Sequence, residues 1–534
     1  MSASHKILNR KGVVVLILFI SSTLLRLPLL LLYPVFRTDE LAENIRALAI
    51  IRYGFIPLTN NAEFIGALYN YIIALVYLIK PSIAFSRLTV ALFSSLTIPL
   101  LYILGLKIMR NPLKALLASI VLALSSAHIL ISSHVAWSAS LAPFFLTLSL
   151  VYLLKSQIDD QKVRRNMFVF GLTSGFAIQA HPSTIASYIA FLTSWTIIYG
   201  KSLLIKIIKN TKYCLLGFCI GYLNMILFNI INPLGSIKAV FRASWTGLHG
   251  GLTLYEFIKR MVFVFLEYVT MLVSGIPILP IQQLIKTPLF YIYLILFFTI
   301  VAYSVRKSYL AKFIVMYIIL SLIIISIGTK GIMALNIFGF AWGPHYLQQL
   351  LPLTSMLIAE ALATTSHSLK KIGRIKRILA FVCLILIIVV WPFTNLLFVY
   401  GFVRKEKCTN EIFIQTLNYL KTKYGKEIPI FVEYSLKSQG TLLFYELALL
   451  EGMNVYPPLM PFKHEISKYD MERFLLENKN ITPLALIVQP SGSCFKAIEE
   501  LHARNIITIN EYHSVRACFN VEVYKVIVIG EVHI

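Results

Sequence analysis

Apolar runs long enough, or nearly long enough, to cross a bilayer recur at about 12–33, 87–107, 113–133, 139–155, 166–180, 183–200, 213–231, 288–305, 312–327, 345–364 and 379–400. They predict eleven membrane helices. Two further apolar stretches, 64–79 and 261–280, fall inside long connectors and predict helices lying in the interface. Counting either alone as a span inverts the charge pattern of everything downstream. Counting both puts the basic connector KIMRNPLK (107–114) on the wrong side.

Beyond residue 403 the pattern changes. IPIFVEY (428–434), PLALIVQP (483–490) and VEVYKVIVI (521–529) read as strands, and GTLLFYELALLEG (440–452) and SCFKAIEELHARN (493–505) as helices. The expected organisation is therefore an α-helical polytopic membrane domain, 1–403, with a long first outer loop at 34–86, followed by a soluble α/β domain, 404–534. The tail carries no GxGxxG or P-loop glycine pattern.

Charge supports this division. The net charge is +25, yet the tail holds 15 Lys+Arg against 15 Asp+Glu, while the first 403 residues hold 34 against 9. The N-terminus and the connectors 107–114, 155–165, 201–212, 306–312 and 365–377 carry 22 of those 34. Every second connector is basic, as eleven spans with a cytoplasmic N-terminus require. Such loops face an anionic leaflet, so membrane lipids and not nucleic acid are the expected partners. The N-terminal basic residues and the long apolar run 12–33, with no small-residue cleavage site, read as an uncleaved signal anchor. Six cysteines without a CxxC argue against a metal cluster; a Cys494–Cys518 disulfide is compatible with an outward tail but not required by spacing.

Acids are scarce before the tail, which makes their placement informative. Asp159, Asp160 and Glu360 fall on the basic side, leaving Asp39, Glu40, Glu43, Glu63, Glu256 and Glu267 outside, four of them in the first loop. From Asp39 onward, Leu41, Ile45, Leu48 and Arg52 follow helical spacing. Asp39 is thus a natural N-cap, with Glu40 and Glu43 favoured by the helix dipole. A general base must also be a carboxylate or histidine within reach of the proton it removes. Asp39 and Glu40 are the candidate pair, and Glu43 belongs to the helix.

The stretch YPVFRTDELAEN (33–44), with YGFIPLTNN (53–61), FIGALYNY (64–71), FSRLTVALFSSLTIPLLYILG (85–105), SSHVAWSASLAPFF (132–145) and PHYLQQLLPLTSMLIAEAL (344–362), resembles the GT-C glycosyltransferases that use polyprenyl-phosphate sugars. Protein O-mannosyltransferases and the aminoarabinose transferase of lipid A typify that group. Its members carry an Asp-Glu pair after the first membrane helix, which Asp39-Glu40 matches. His345-Tyr346 stands where the group has Arg-Tyr, HVAWSAS offers only His134 and Ser138 near the third span, and Ile65-Gly66 stands near a Lys-Pro of the aminoarabinose transferases.

The resemblance implies transfer of a sugar from a dolichyl or undecaprenyl phosphate to a protein, glycan or lipid acceptor on the outer face, by inverting single displacement. Asp39, with Glu40, would supply the base. Arg37, His345, Tyr346, Arg242 and Lys330 are the candidates for holding the lipid phosphate; Arg37 could instead keep Asp39 ionised. No metal-ligand set is fixed by spacing, and a divalent cation stays open as a cofactor. The alternatives are a flippase of lipid-linked sugars and a non-catalytic assembly subunit of the same fold.

Overall fold

The computed structural model describes residues 3–27, 30, 38–131, 136–245, 252–274, 288–328, 343–368, 378, 408–433, 445, 447–456, 468–481, 483–488, 493–516 and 523–533. The chain divides into two compact units, Met1–Leu30, Pro57–Tyr69 and Arg87–Val399 in one, and Leu31–Ile56, Asn70–Ser86 and Tyr400–Ile534 in the other.

The first unit is a helical bundle. Helices Ala3–Arg26, Ile83–Ile108 (whose residues 83–86 belong to the second unit), Ala142–Ile158, Val163–Ala180, Thr184–Tyr199, Pro288–Lys307, Tyr309–Gly328 and Leu351–Ser368 coincide with expected spans, and the expected span 379–400 lies outside the described residues. Among the described residues three helices, Ile83–Ile108, Ser138–Ile158 and Tyr309–Gly328, are long and apolar enough to cross a membrane unaided. Two expected spans are broken. The run 213–231 forms Thr211–Gly221 and Leu223–Ile231, bent by 75°. The run 113–133 forms Pro112–Leu124 and Ser126–Ile131, with Ser125 extended between them. Helix Leu254–Ser274 is interrupted by Lys259, Arg260 and Glu267 and does not qualify as a span.

Helices Val163–Ala180 and Thr211–Gly221 meet through interlocked glycines. A Cβ on Gly171 would collide with the carbonyl oxygen of Cys214, one on Gly217 with that of Phe168, and one on Gly221 with that of Leu172. Gly171/Gly175 and Gly217/Gly221 are each four apart, the small-xxx-small spacing that lets membrane helices approach backbone to backbone. With no hydrophobic drive between helices in lipid, this close contact supplies the attraction.

The basic connectors converge at one end of the bundle. Lys206 Nζ lies 2.6 Å from Asp160 Oδ1, joining 201–212 to 155–165. Glu360, only 5% exposed, accepts from Lys114 Nζ and from Ser308 Oγ, both at 2.8 Å, joining 107–114 to 306–312. Lys107 feels the like charges of Lys155 and Lys11. Five of the six basic segments are linked in this way, and 369–377 lies outside the described residues.

The second unit contains a five-stranded sheet in the order β2-β1-β3-β5-β4: β1 Pro429–Val432, β2 Asn454–Tyr456, β3 Leu484–Val488, β4 Ile507–Arg516 and β5 Val523–Val532. β1 pairs in parallel with β2 and β3, whereas β5 runs antiparallel to β3 and β4. Every residue of β1 and β3 is buried, the continuous apolar signature of central strands covered on both faces. Helices Cys408–Tyr424, Lys468–Glu477 and Ser493–Ala503 complete the α/β layer. The buried carboxylate of Glu433 accepts from Cys494 N at 3.3 Å, capping the last of these helices. Cys494 is buried at the start of this helix; Cys518 lies outside the described residues.

Gly217→Leu must force the two glycine-paired helices apart. It is expected to lower the stability of the detergent-solubilised protein by about 3 kcal/mol or more, read as a fall in its thermal midpoint. At Gly200 a Cβ would meet no atom within 4 Å, but φ is +86°, so Gly200→Ala should cost only its backbone strain of about 1–2 kcal/mol.

Candidate functional site

The acidic segment forms helix Thr38–Tyr53 in the second unit. Leu41, Ile45 and Leu48 are buried as their spacing predicts, and so are Glu40 (0% exposed), Glu43 (3%) and Asn44 (0%). Acids that merely decorated a helix terminus would face solvent; these do not. The helix is pinned along its length within its own unit. Asn70 Nδ2 donates to Glu43 O at 2.8 Å, Asn44 Nδ2 to Ser86 Oγ at 3.3 Å, and Arg52 Nη2 to Leu449 O. Burial pulls Arg46 down to about 10, while the neighbouring Glu43 charge opposes that shift. Asp39 occupies the first turn, where unpaired N–H groups favour an ionised carboxylate. Its side chain lies outside the described residues, as does Arg37 entirely.

In the first unit the end opposite the basic connectors is organised by one 3-10 turn, Gly343–Leu350. Three of its side chains reach three different segments. Tyr346 OH donates to Glu267 Oε2, Gln348 Nε2 to Ala139 O, and Gln349 Nε2 to Ser183 Oγ at 2.9 Å. The loop before residue 70 is fastened at this same end: Gly66 N donates to Gln179 O at 3.0 Å, Asn224 Nδ2 to Leu58 O at 2.8 Å, and Tyr69 OH to Ala136 O. A Cβ on Gly66 would overlap the Gln179 side chain, so this close approach needs glycine.

Glu267 is 2% exposed, and its Oε1 has no partner among the described residues. Burial pushes its carboxyl up to about 8, against the Tyr346 hydrogen bond, which acts in the opposite direction. It is therefore mostly neutral at pH 7. A second buried group lies on the first helix. Arg26 is fully enclosed, donating from Nε to Ser94 Oγ at 3.0 Å, from Nη1 to Ser22 O at 2.8 Å and from Nη2 to His128 Nδ1 at 2.8 Å. Because guanidinium cannot accept, His128 must present an unprotonated Nδ1 and carry its proton on Nε2.

This architecture matches solved structures along its whole length. The structure of ArnT from Cupriavidus metallidurans bound to undecaprenyl phosphate superposes with a TM-score of 0.60, at 12% identity, over 98% of each chain. The apo state of the same enzyme gives 0.62 at 13% identity, over 99% of this chain and 98% of that one. The protein has the GT-C glycosyltransferase fold. It is an α-helical polytopic membrane protein with a small C-terminal α/β sheet domain. No protein-family model and no curated protein matches the sequence, so the likeness is one of fold.

Of the expected phosphate-site residues, Tyr346 and Arg242 have described side chains. Tyr346 is half-buried and engaged by Glu267, while Arg242 is exposed on the amphipathic helix Gly235–Trp245. His345 belongs to the same turn as Tyr346 with its side chain outside the described residues, and Lys330 lies outside them altogether. Of the remaining outer basic candidates, Arg87 is buried and donates to Leu30 O at 3.4 Å, and Lys259 pairs with Glu256 at 3.5 Å. Among the described residues no group of three or more His, Cys, Asp or Glu could hold a metal. The sequence places Glu267 and His128 on the outer side but gives neither a role. A lone carboxylate in an otherwise apolar helical face is the available signal.

His128→Leu takes away the acceptor of Arg26 Nη2, one of the three that meet this buried guanidinium, and should cost about 2–3 kcal/mol. The double change Arg26→Met, His128→Leu should cost less than that single one, a sign of coupling measurable by denaturation of the four proteins.

Proposed function

We propose that this protein is a membrane glycosyltransferase that moves a sugar from a polyprenyl phosphate to an acceptor hydroxyl by inverting single displacement, with Asp39 as the base. The observation that carries the reading is the Asp39-Glu40 pair, which opens a largely buried helix right after the first apolar helix, in a chain of GT-C fold. The ArnT match was obtained with undecaprenyl phosphate bound to that enzyme, which supports a lipid-phosphate donor here. A multi-pass location with the basic end cytoplasmic and the acidic helix outside agrees with the distribution of charge.

Chemistry divides the labour simply. The leaving phosphate has a second pKa near 6 and departs without needing a proton. Catalysis then rests on deprotonating the acceptor hydroxyl and on donors that meet the developing phosphate charge. Asp39 lies in the first turn of its helix, where unpaired N–H groups favour a carboxylate that can accept a proton, with Glu40 beside it in sequence. Arg37, Arg242, Lys330, His345 and Tyr346 supply the phosphate donors. The sugar class is a hexose or pentose, and the acceptor is a protein, glycan or lipid hydroxyl.

The test incubates purified protein with a panel of undecaprenyl- and dolichyl-phosphate sugars and membrane extract. Asp39→Asn is expected to lower transfer about 10²–10⁴-fold at unchanged folding, the range for loss of a general base. Transfer unaffected by that change removes Asp39 from the mechanism. Transbilayer movement of the donor without transfer would replace an enzyme with a carrier.

A further inference from the structure

Glu267 and Tyr346 form a contact that the transfer reaction as described does not use. The carboxyl is buried, Tyr346 is its only side-chain partner among the described residues, and its second oxygen has none. An acid with no use would be replaced at little cost by an apolar residue, because taking an ionisable group out of water is unfavourable.

Charged groups on the neighbouring elements do not account for it. The carboxyl's helix packs against the 3-10 turn, Ser126–Ile131, Pro288–Lys307 and Tyr309–Gly328. Arg306, Lys307 and Lys312 belong to the basic connector at the far end. His128 on Ser126–Ile131 already accepts from Arg26. On the same helix Glu256 pairs with Lys259, and it is the Glu256 charge that Arg260 feels. On the Leu351–Ser368 helix, Glu360 is bound to Lys114 and Ser308.

We propose that Glu267 is a positioning residue that acts through Tyr346, releasing the tyrosine hydroxyl to a lipid-linked phosphate when the carboxyl is neutral and retaining it when the carboxyl is ionised. This rests on the glycosyltransferase reading. A neutral carboxyl can donate its own O–H to the tyrosine oxygen, which leaves the phenolic O–H to point at a phosphate oxygen. A carboxylate only accepts, so it takes the phenolic hydrogen for itself and adds a negative charge beside the phosphate. No net proton transfer is involved; one hydrogen bond reverses direction.

The sign of the pH effect follows. The carboxyl is raised to about 8, so the binding-competent form is populated below that pH and lost above it. Histidines and a phosphate monoester titrate mainly below this window and lysines and tyrosines above it, while the α-amino group and the thiols that titrate within it are shared by the unmodified chain and Glu267→Gln and cancel between them. Affinity should therefore fall about tenfold between pH 7 and pH 9, one proton's worth of linkage.

The experiment measures binding of undecaprenyl phosphate to the full-length, detergent-solubilised protein at pH 7, 8 and 9, for the unmodified chain, Glu267→Gln and Tyr346→Phe, each with its thermal midpoint recorded. The readout is the slope against pH and not the affinity itself. Glutamine can donate to the tyrosine but cannot ionise, so its slope should vanish, and Tyr346→Phe should lose the slope too. Parallel slopes in the unmodified chain and Glu267→Gln, or no slope in the unmodified chain, overturn the role of Glu267 and leave the glycosyltransferase reading standing. Absence of binding at every pH overturns both.

Discussion

The hydrogen bonds of the 3-10 turn Gly343–Leu350 are the interaction on which the helical unit's functional end depends. Helices in a bilayer gain little from burying apolar surface against one another, so polar contacts and close packing must set their arrangement. Here one turn sends Tyr346, Gln348 and Gln349 to Glu267, Ala139 and Ser183, on three separate segments. Each donor is itself buried or half-buried, and an unmet amide or hydroxyl there would carry a penalty of about 1–3 kcal/mol. The turn therefore cannot shift without breaking several costly contacts together. A short irregular element is thereby made as fixed as a helix, and it carries His345 and Tyr346, the residues expected to meet phosphate.

The two ends of this unit use polar groups in opposite ways. At the basic end, Glu360 neutralises Lys114 and Lys206 meets Asp160, so charges are paired and the connectors are drawn together. At the other end, Arg26 is satisfied by neutral acceptors and Glu267 by a neutral donor. Arg26, enclosed without a counter-ion, keeps a field that an anion can answer, and the neutral Glu267 does not oppose it, whereas paired ions largely cancel. The second arrangement suits the binding of an anion, and the first suits a scaffold.

Much of this is legible in the sequence because hydropathy and charge are additive along a chain. The spans follow from apolar runs, their common end from the basic connectors, and the buried face of Thr38–Tyr53 from Leu41, Ile45 and Leu48. The break at Ser125 is not legible, since no proline or glycine adjoins it and the runs on both sides stay apolar, while Gly221, just before the break at Tyr222, reads equally as a packing glycine. The paired Gly171/Gly175 and Gly217/Gly221 spacings are visible but gain meaning only once the partner helix is known. In the tail, β4 escapes because ITINEYHSVR carries polar residues along an edge strand, where one side needs no partner. Glu267 is visible as a scarce outer acid, yet its neutral state depends on enclosure by residues far away in sequence.

The acids of the two units consequently fall into two kinds of environment. Asp39 sits at a helix N-terminus, where the dipole favours the charged form, and Glu267 sits in an apolar enclosure that favours the neutral one. Paired roles in acid–base enzymes are usually assigned by such separation, the ionised group accepting a proton and the neutral group donating one. For a phosphate leaving group that assignment needs adjustment, because the departing oxygen is acidic enough to leave as an anion. A neutral carboxyl is then more useful as a source of hydrogen-bond direction than as a source of protons. Acting through Tyr346, it keeps the carboxyl itself, and any charge it could acquire, one side chain removed from the phosphate.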